Sequence, residues 1–276
     1  MSVISEMLPP QPPPPAAEKP YSISRFVGSL FMAAWVAIFL GAAYSIYEGF
    51  DQEKFLRYGP RMLSGLWVTV QLVITALVIG AILSLPLAYA RMSKNRLLSA
   101  LAYGYVYFFR GTPLIAQLYV IYYGFGSFRP FFESIGMWWF FREAYYCAIF
   151  SFALNTAAYQ AEILRGAIES VPRGQMEACD AVGLPRAIAF RKVILPQAII
   201  VALRPYGNEI ILMIKASAIV AIVTVFDLMG ETRRAYSRTF DFQMYLWAAV
   251  LYLAIVEILR NVWNWLEGRL TRHLKR

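Results

Sequence analysis

Long runs without a charged residue constrain this chain more than any other feature. Residues 62–90 are 29 consecutive residues without Asp, Glu, Lys or Arg, and residues 26–47 form a second such run of 22. A helix needs about 20 apolar residues to cross the hydrocarbon core of a bilayer. The runs therefore predict an all-α, polytopic membrane protein.

Composition excludes the main alternatives. The chain has 276 residues, of which 59% are hydrophobic, and its mean hydropathy is +0.51, too apolar for a soluble globular protein. The net charge is +9, but the basic residues flank the apolar runs, which favours a membrane topology over nucleic acid as a partner. His273 is the only histidine, and Cys147 and Cys179 are expected to lie far apart, so neither a histidine metal site nor a disulfide framework is indicated.

Four further apolar segments complete a prediction of six spans. They are residues 97–128, 144–161, 193–226 and 242–265, and residues 48–61, 129–143 and 227–241 are expected to be connecting loops. Pro86 is expected to bend the span at 62–90. The run Arg110-Gly111-Thr112-Pro113 predicts a helix break, which a membrane protein tolerates where backbone is buried or lines a cavity. Arg110 is expected to bind the carbonyls that this break frees.

Basic residues predict the orientation. Six spans place both termini and residues 162–192 on one side, which carries 15 of the Lys and Arg residues, whereas the loops opposite carry eight. The remaining three, Arg110, Arg204 and Lys215, fall within predicted spans. Cytoplasmic segments are rich in Lys and Arg, so both termini are predicted to be cytoplasmic.

Three regions follow from these patterns. Residues 1–20 contain a polyproline run and are expected to be an extended, disordered cytoplasmic tail rather than a cleaved signal peptide. Residues 21–60 are expected to hold an accessory membrane helix and an external connector. Residues 61–276 are expected to form the main membrane domain, with two short cytoplasmic helices at 171–196.

Those short helices occupy a polar stretch between two apolar runs. Residues 175–182 favour helix, Gly183 can adopt a left-handed conformation at its end, and Pro185 suits the start of a second helix. Small side chains, notably Ala178, Ala181 and Val182, let another protein's groove approach the backbone. The pattern predicts a helical hairpin that docks onto a partner.

The hairpin resembles a known loop. Glu177-Ala178-Cys179, then Gly183, then Val193-Ile194-Leu195-Pro196 are similar to the Glu-Ala-Ala loop of binding-protein-dependent ABC importer permeases, with Cys179 and Val193 departing from the usual Ala and Ile. The resemblance implies coupling helices that dock into a cleft of a cytoplasmic ATPase. Because the first helix is predicted from residue 175, Glu177 is expected in its first turn, where a carboxylate interacts favourably with the helix N-terminus. The residues assigned to this coupling are Glu177, Ala178, Ala181, Val182, Gly183, Leu184 and Pro185.

Three more phrases, at 109–118, 155–159 and 205–209, resemble permeases of the polar amino acid subfamily, including histidine, arginine and opine types. This resemblance implies a type I ABC importer transmembrane domain with a five-helix core and one extra N-terminal helix, in a bacterial inner membrane. It also implies an ATPase dimer that binds ATP and Mg, a second permease, identical or different, and a periplasmic amino-acid-binding protein. No cofactor is expected in this chain.

Polar residues within spans are candidates for the substrate path, because charges are costly there. Glu209 is the best candidate, together with Asn208, Arg204 and Lys215 on the same segment and Asn155 and Tyr159 on the preceding one. A zwitterionic amino acid needs both signs of charge. The alternatives are that Arg204 snorkels to the cytoplasmic surface and that Glu209 and Lys215 pair with other helices.

Three function classes are compared. The chain has no G-x-x-x-x-G-K-[ST], H-E-x-x-H or G-x-S-x-G pattern, which weighs against an enzyme. An ion-coupled secondary amino acid transporter is the alternative, but it calls for inverted repeats and broken helices in both halves. The hairpin favours an ABC importer permease.

Overall fold

The computed structural model describes residues 23–272, which form two compact units divided between Gly49 and Phe50. In the first unit, helix α1 spans Ile23–Glu48, and none of its residues is buried. Its length of 26 residues and its apolar composition confirm the predicted helix at 26–47. The predictions for residues 1–20 and for His273 lie outside the described residues.

The second unit consists of helices throughout its described part, residues 50–272, which confirms the all-α class. The helices are α2 (Gln52–Arg91), α3 (Arg96–Gly111), α4 (Leu114–Tyr119), α5 (Arg129–Ser134), α6 (Trp138–Phe141), α7 (Ala144–Glu169), α8 (Arg173–Ala181), α9 (Arg186–Ala189), α10 (Leu195–Ala216), α11 (Leu228–Thr239) and α12 (Gln243–Leu270). A π-helical turn at Val120–Gly124 continues α4, another at Phe190–Ile194 joins α9 to α10, and a 3-10 turn at Ser217–Val223 extends α10.

Helix α2 begins ten residues before the predicted span, so the expected connector at 48–61 is largely wrong. The Asp51 side chain accepts hydrogen bonds from the backbone N–H groups of Glu53 and Lys54, at 2.9 and 3.1 Å, and so caps the helix. Tyr58 is buried against Ala235 and Met244, which stabilises these first turns. Packing here outweighs the helix-breaking tendency of Pro60, which lies within the helix. Pro86, where a bend is predicted, also lies within α2.

The predicted helix break is confirmed. Helix α3 ends at Gly111, Thr112 is extended, and Pro113 precedes α4. Proline lacks the N–H that would continue the α3 ladder, and it restricts the preceding residue to extended conformations.

Two of the predicted loops contain helices instead. Residues 129–143 contain α5 and α6, where Phe132 and Phe141 pack with ring centroids 4.1 Å apart. Residues 227–241 contain α11, which Asp227 caps by accepting a hydrogen bond from Gly230 N–H at 2.8 Å. These segments are too short or too charged to show a clear apolar period, so tertiary packing decides their structure.

Helix α7 lies at the centre of the second unit and packs against α2, α3 and α10. Its Phe152 is fully buried in a core with Leu72 of α2 and Val220 of the 3-10 turn. Among described residues, four segments are long and apolar enough to span a membrane: Ile23–Glu48, Gln52–Arg91, Arg186–Val223 and Gln243–Leu270. The other two predicted spans correspond to the broken pair α3–α4 and to α7, which carries polar residues because it faces protein.

Candidate functional site

The end of α8 forms the predicted left-handed cap. Gly183 has φ +68°, its N–H donates to Asp180 C=O at 3.1 Å, and the Leu184 N–H donates to Cys179 C=O at 3.0 Å. This pair of bonds is the Schellman motif, which requires a residue with positive φ and therefore favours glycine. The predicted conformation of Gly183 is confirmed.

The second helix of the hairpin begins at once. Pro185 accepts hydrogen bonds at its carbonyl from Ile188 and Ala189, each at 2.9 Å, and is the N-cap of α9 rather than its first residue. Helix α9 then runs through a π-helical turn into α10. The expected position of Glu177 in the first turn is wrong, because α8 already starts at Arg173.

The two short helices leave a surface of small side chains uncovered, defined here as the hairpin surface. Val182 is 73% exposed, and Leu184 is half-buried. Cys179 and Ala189 face inward and are buried, which holds the two helices together. The exposed members of the hairpin surface are Glu177, Ala178, Ala181, Val182, Gly183 and Pro185.

The hairpin is fixed at both ends to the central helices. Helix α7 leads into it, α10 leads away from it, and these two helices pack through Ala167, Ala198 and Ala202. Small residues allow close approach of the backbones in this kind of contact. A displacement of the hairpin therefore acts on α7 and α10 together.

Glu209 lies in a buried polar network between those helices. Its Oε1 accepts a hydrogen bond from the Thr156 hydroxyl at 2.8 Å, and Gln160 Nε2 donates to that hydroxyl at 3.1 Å. Gln160 also donates to the Leu77 carbonyl of α2 at 3.2 Å. Glu209 is only 6% exposed, and Arg110 is near enough to attract it electrostatically.

The carbonyls freed at the helix break bind amides rather than a guanidinium. Asn155 Nδ2 and Gln117 Nε2 both donate to Phe109 C=O, at 2.8 and 2.9 Å, and Gln117 also donates to Thr112 C=O at 3.1 Å. The role expected for Arg110 is therefore wrong. Its guanidinium instead lies 5.1 Å from the ring centroid of Tyr159.

Other predicted path residues lie apart from Glu209. Arg204 has an 83% exposed side chain and pairs with Glu267 of α12 at 2.6 Å. Asn208 is exposed. Together with Arg204 it lines a cavity of about 380 Å³ between α10 and α12. Lys215 is exposed and has no ion pair among the residues described.

The structure thus gathers Glu209, Asn155 and Tyr159 on one side of α10 and separates them from Arg204. Sequence reasoning missed Thr156, Gln160 and Gln117 as members of the site. Thr156 and Gln160 are four residues apart in an apolar helix, hence on one face, and that spacing was an available signal. No comparable signal connects Gln117 to Asn155, which lie 38 residues apart in the chain.

A cavity of about 370 Å³ lies between α3, α7 and α10, and Tyr159 in its wall directly precedes Gln160 in the chain. Arg110, Tyr159 and Glu162 line it, with Pro205 on the opposite wall. The Arg110 guanidinium in these walls complements a substrate carboxylate, whereas the Glu162 carboxylate already pairs with Arg91 and Arg165. Within residues 23–272, no cluster of three or more metal-ligating side chains is found.

Comparison with known proteins matches these features to a transport family. Residues 76–272 match the family model of the binding-protein-dependent transport system inner membrane component. The chain is 41% identical over 226 residues to the nopaline transport system permease protein NocM of Agrobacterium fabrum, covering 82% of this chain and 94% of that protein. It is 38% identical over 213 residues to the histidine/lysine/arginine/ornithine permease HisM of Escherichia coli K12, covering 77% and 90% respectively.

Solved structures show the same fold. A chain from an amino acid ABC transporter crystallised with histidines superposes with a TM-score of 0.70 at 34% identity, covering 80% of this chain and 99% of its own. A chain of the MetNI methionine ABC transporter superposes with a TM-score of 0.64 at 20% identity, which supports the fold alone. The family match covers the hairpin and the buried network together. The chain therefore belongs to the family of binding-protein-dependent transport system inner membrane components and has the type I ABC importer permease fold.

Proposed function

We propose that this chain is the permease subunit of an ATP-driven importer of polar amino acids or opines, in a bacterial inner membrane. The hairpin surface carries the proposal, because it offers small exposed side chains on a rigid turn between two central helices. The opine and basic amino acid permeases among its relatives support the substrate class.

The partners follow from the family. An ATPase dimer docks on the hairpin surface and binds the ATP and Mg, so this chain needs no cofactor of its own. A second permease, either a copy of this chain or a different one, completes the pathway. A periplasmic binding protein delivers the substrate.

Glu209 and Arg110 are the proposed contacts for a zwitterionic substrate. The Glu209 carboxylate complements an ammonium group, and Arg110, beside the adjoining cavity, complements a carboxylate. Asn155 and Tyr159 support these groups, since Asn155 holds the helix break and Tyr159 lies under the Arg110 guanidinium.

Movement of α7 and α10 links the hairpin surface to the proposed substrate contacts. Closure of the ATPase dimer displaces the docked hairpin, and α7 and α10 move with it because both are continuous with it or its connecting turns. Thr156 on α7 and Glu209 on α10 share a hydrogen bond, so a change in the relative position of these helices alters the substrate contacts. Alternating access of this kind uses two arrangements of packed helices.

An ion-coupled secondary transporter is the second candidate. The break between α3 and α4, with a buried carboxylate nearby, is the observation in its favour, since discontinuous helices bind substrates in many such proteins.

Reconstitution separates the two candidates. Vesicles would contain the chain, its candidate second permease and its ATPase, with ATP enclosed and a loaded binding protein outside. Radiolabelled histidine, arginine, octopine and nopaline would be offered, with aspartate as a charge control. The proposal predicts uptake only when ATP and the binding protein are both present. Uptake driven by a proton or sodium gradient without ATP would favour the second candidate.

Orientation is tested separately. Single cysteines at positions within 48–60 and 174–186 would be introduced after Cys147 and Cys179 are replaced by Ala. A membrane-impermeant thiol reagent should label the first group from outside and the second only in permeabilised cells. Labelling of both groups from one side would contradict the proposed topology.

A further inference from the structure

Glu162 joins two helices near the hairpin. Its Oε1 accepts a hydrogen bond from Arg91 Nε at 2.9 Å, and its Oε2 accepts one from Arg165 at 2.8 Å. Arg91 is the last residue of α2, whereas Glu162 and Arg165 lie in α7. One carboxylate thus holds a cation from each helix.

Arg91 extends this contact to a third helix. Its guanidinium lies 4.9 Å from the ring centroid of Tyr103 of α3, and its carbonyl accepts a hydrogen bond from the Ser99 hydroxyl at 3.2 Å. Helices α2, α3 and α7 therefore meet at the Arg91–Glu162 pair, which we name the three-helix clamp.

The clamp is shielded from water. The Arg91 and Glu162 side chains are 16% and 13% exposed, whereas the Arg260–Glu257 pair on α12 is 59% and 47% exposed. Removal of one partner from a largely buried pair leaves an uncompensated charge, so such a pair holds its geometry firmly. An exposed pair has no comparable hold, because solvent competes for both groups.

The clamp lies where movement of the hairpin would first reach the membrane helices. Glu162 is about two turns before the end of α7 at Glu169, and α8 begins at Arg173. Arg165 has a second bond to Glu169 at 2.6 Å, which lies wholly within α7 and reaches no other helix. The clamp links this end of α7 to α2 through Glu162 and Arg91, and to α3 through Tyr103.

We propose that Glu162 is a positioning residue that couples the hairpin to α2 and α3, so that displacement of the hairpin by the ATPase moves all three helices as one body. The inference rests on the proposed function and adds to it a pair outside the hairpin surface. Glu162 lines the same cavity as Arg110, but its carboxylate is bound by Arg91 and Arg165. Without the clamp the hairpin can still be displaced by the ATPase, but α2 and α3 no longer move with it. ATP is then hydrolysed with less transport.

The test is the amount of substrate imported per ATP hydrolysed in the reconstituted transporter, at matched amounts of assembled complex. Glu162→Gln and Arg91→Gln should each bind the ATPase normally and lower this ratio about tenfold, the scale of coupling changes caused by residues between two sites. The double variant should import as much substrate per ATP as either single variant, because the two residues act as a pair. Glu169→Gln, which removes the other carboxylate on Arg165 but leaves Arg91 paired, is the matched control and should keep the wild-type ratio.

Each outcome is decisive. An unchanged ratio in Glu162→Gln, or losses that add in the double variant, would overturn the clamp. If Glu162→Gln fails to accumulate, the ratio is measured in Arg91→Gln instead. That variant leaves the Glu162 carboxylate paired with Arg165, so it should still assemble. Failure of the wild-type complex to bind an ATPase or to use ATP would instead contradict the proposed function.

Discussion

Thr156 and Glu209 form a direct link between the two helices that flank the hairpin. The Thr156 hydroxyl of α7 donates to Glu209 Oε1 of α10 over 2.8 Å, with both side chains buried. The bond gives the carboxylate one neutral partner and leaves its second oxygen for another ligand. A carboxylate in this setting is suited to a cationic group of a substrate.

Glu209→Gln tests that role. The substitution keeps the size of the side chain and its ability to accept from Thr156 but removes the charge. We expect normal assembly and uptake reduced about tenfold or more, since a hydrogen bond to a charged group contributes roughly 1.5–3 kcal/mol. Initial uptake rates in vesicles are the measurement.

Glu257→Gln is its control. Glu257 lies on α12, is about half exposed and pairs with Arg260 one turn away. It should transport at the wild-type rate. Wild-type uptake and unchanged substrate preference in Glu209→Gln would instead assign Glu209 a structural role.

Arg204→Gln tests whether the substrate path includes the opposite face of α10. Arg204 is largely exposed and pairs with Glu267, and a surface pair of this kind contributes about 0–1 kcal/mol. We expect nearly wild-type uptake and a small change in thermal stability. A loss of uptake equal to that of Glu209→Gln would show that Arg204 contacts the substrate.

Gly65→Ala tests the close contact between α2 and the start of α11. A Cβ on Gly65 would lie 2.7 Å from the carbonyl oxygen of Asp227, and this backbone cannot rotate away. We expect destabilisation of about 1–3 kcal/mol, the usual cost of overpacking. The measurement is the temperature of aggregation in detergent.

Gly104→Ala is the matched substitution, because a Cβ on Gly104 of α3 meets nothing within 4 Å. Alanine favours helix over glycine, so this variant should be as stable as the wild type or slightly more stable. Equal stability of the two variants would contradict the close contact at Gly65.

Deletion of residues 1–20 tests the prediction for the tail. The family match begins at residue 76, well after this proline-rich segment. We expect uptake and assembly to stay intact, measured at equal amounts of protein in the membrane. Loss of either would assign the tail a role in assembly.

Local chemistry predicted the features that depend on a few adjacent residues. The left-handed cap at Gly183 and the break before Pro113 follow from backbone limits that act within a turn, and both are confirmed. The membrane helices follow from apolar runs. These predictions needed no knowledge of tertiary contacts.

The remainder depends on contacts between distant residues. Tyr58 packs on Ala235 and so extends α2 into a stretch that looks like a polar loop. At the helix break, the amides of Gln117 and Asn155, and not Arg110, bind the freed carbonyl of Phe109. Arg204 pairs with Glu267 across 63 positions of sequence. A single sequence gives no pairing information of this kind.

Binding of the ATPase to hairpin variants tests the proposed docking most directly. Gly183→Val places a β-branched residue at φ +68°, which costs about 1–2 kcal/mol and crowds the hairpin surface, and Glu177→Ala removes an exposed carboxylate there. Gly136→Val is a matched control, because Gly136 has φ +70° with equally open surroundings and lies between α5 and α6. The ATPase would be captured on tagged permease, with equal amounts of each permease variant in the membrane. Its rate of ATP hydrolysis would then be measured in the presence of loaded binding protein. We predict that both hairpin variants lose ATPase binding, or lose its response to the binding protein, while Gly136→Val keeps both. Normal binding and wild-type transport in Gly183→Val and Glu177→Ala would contradict the docking role of the hairpin.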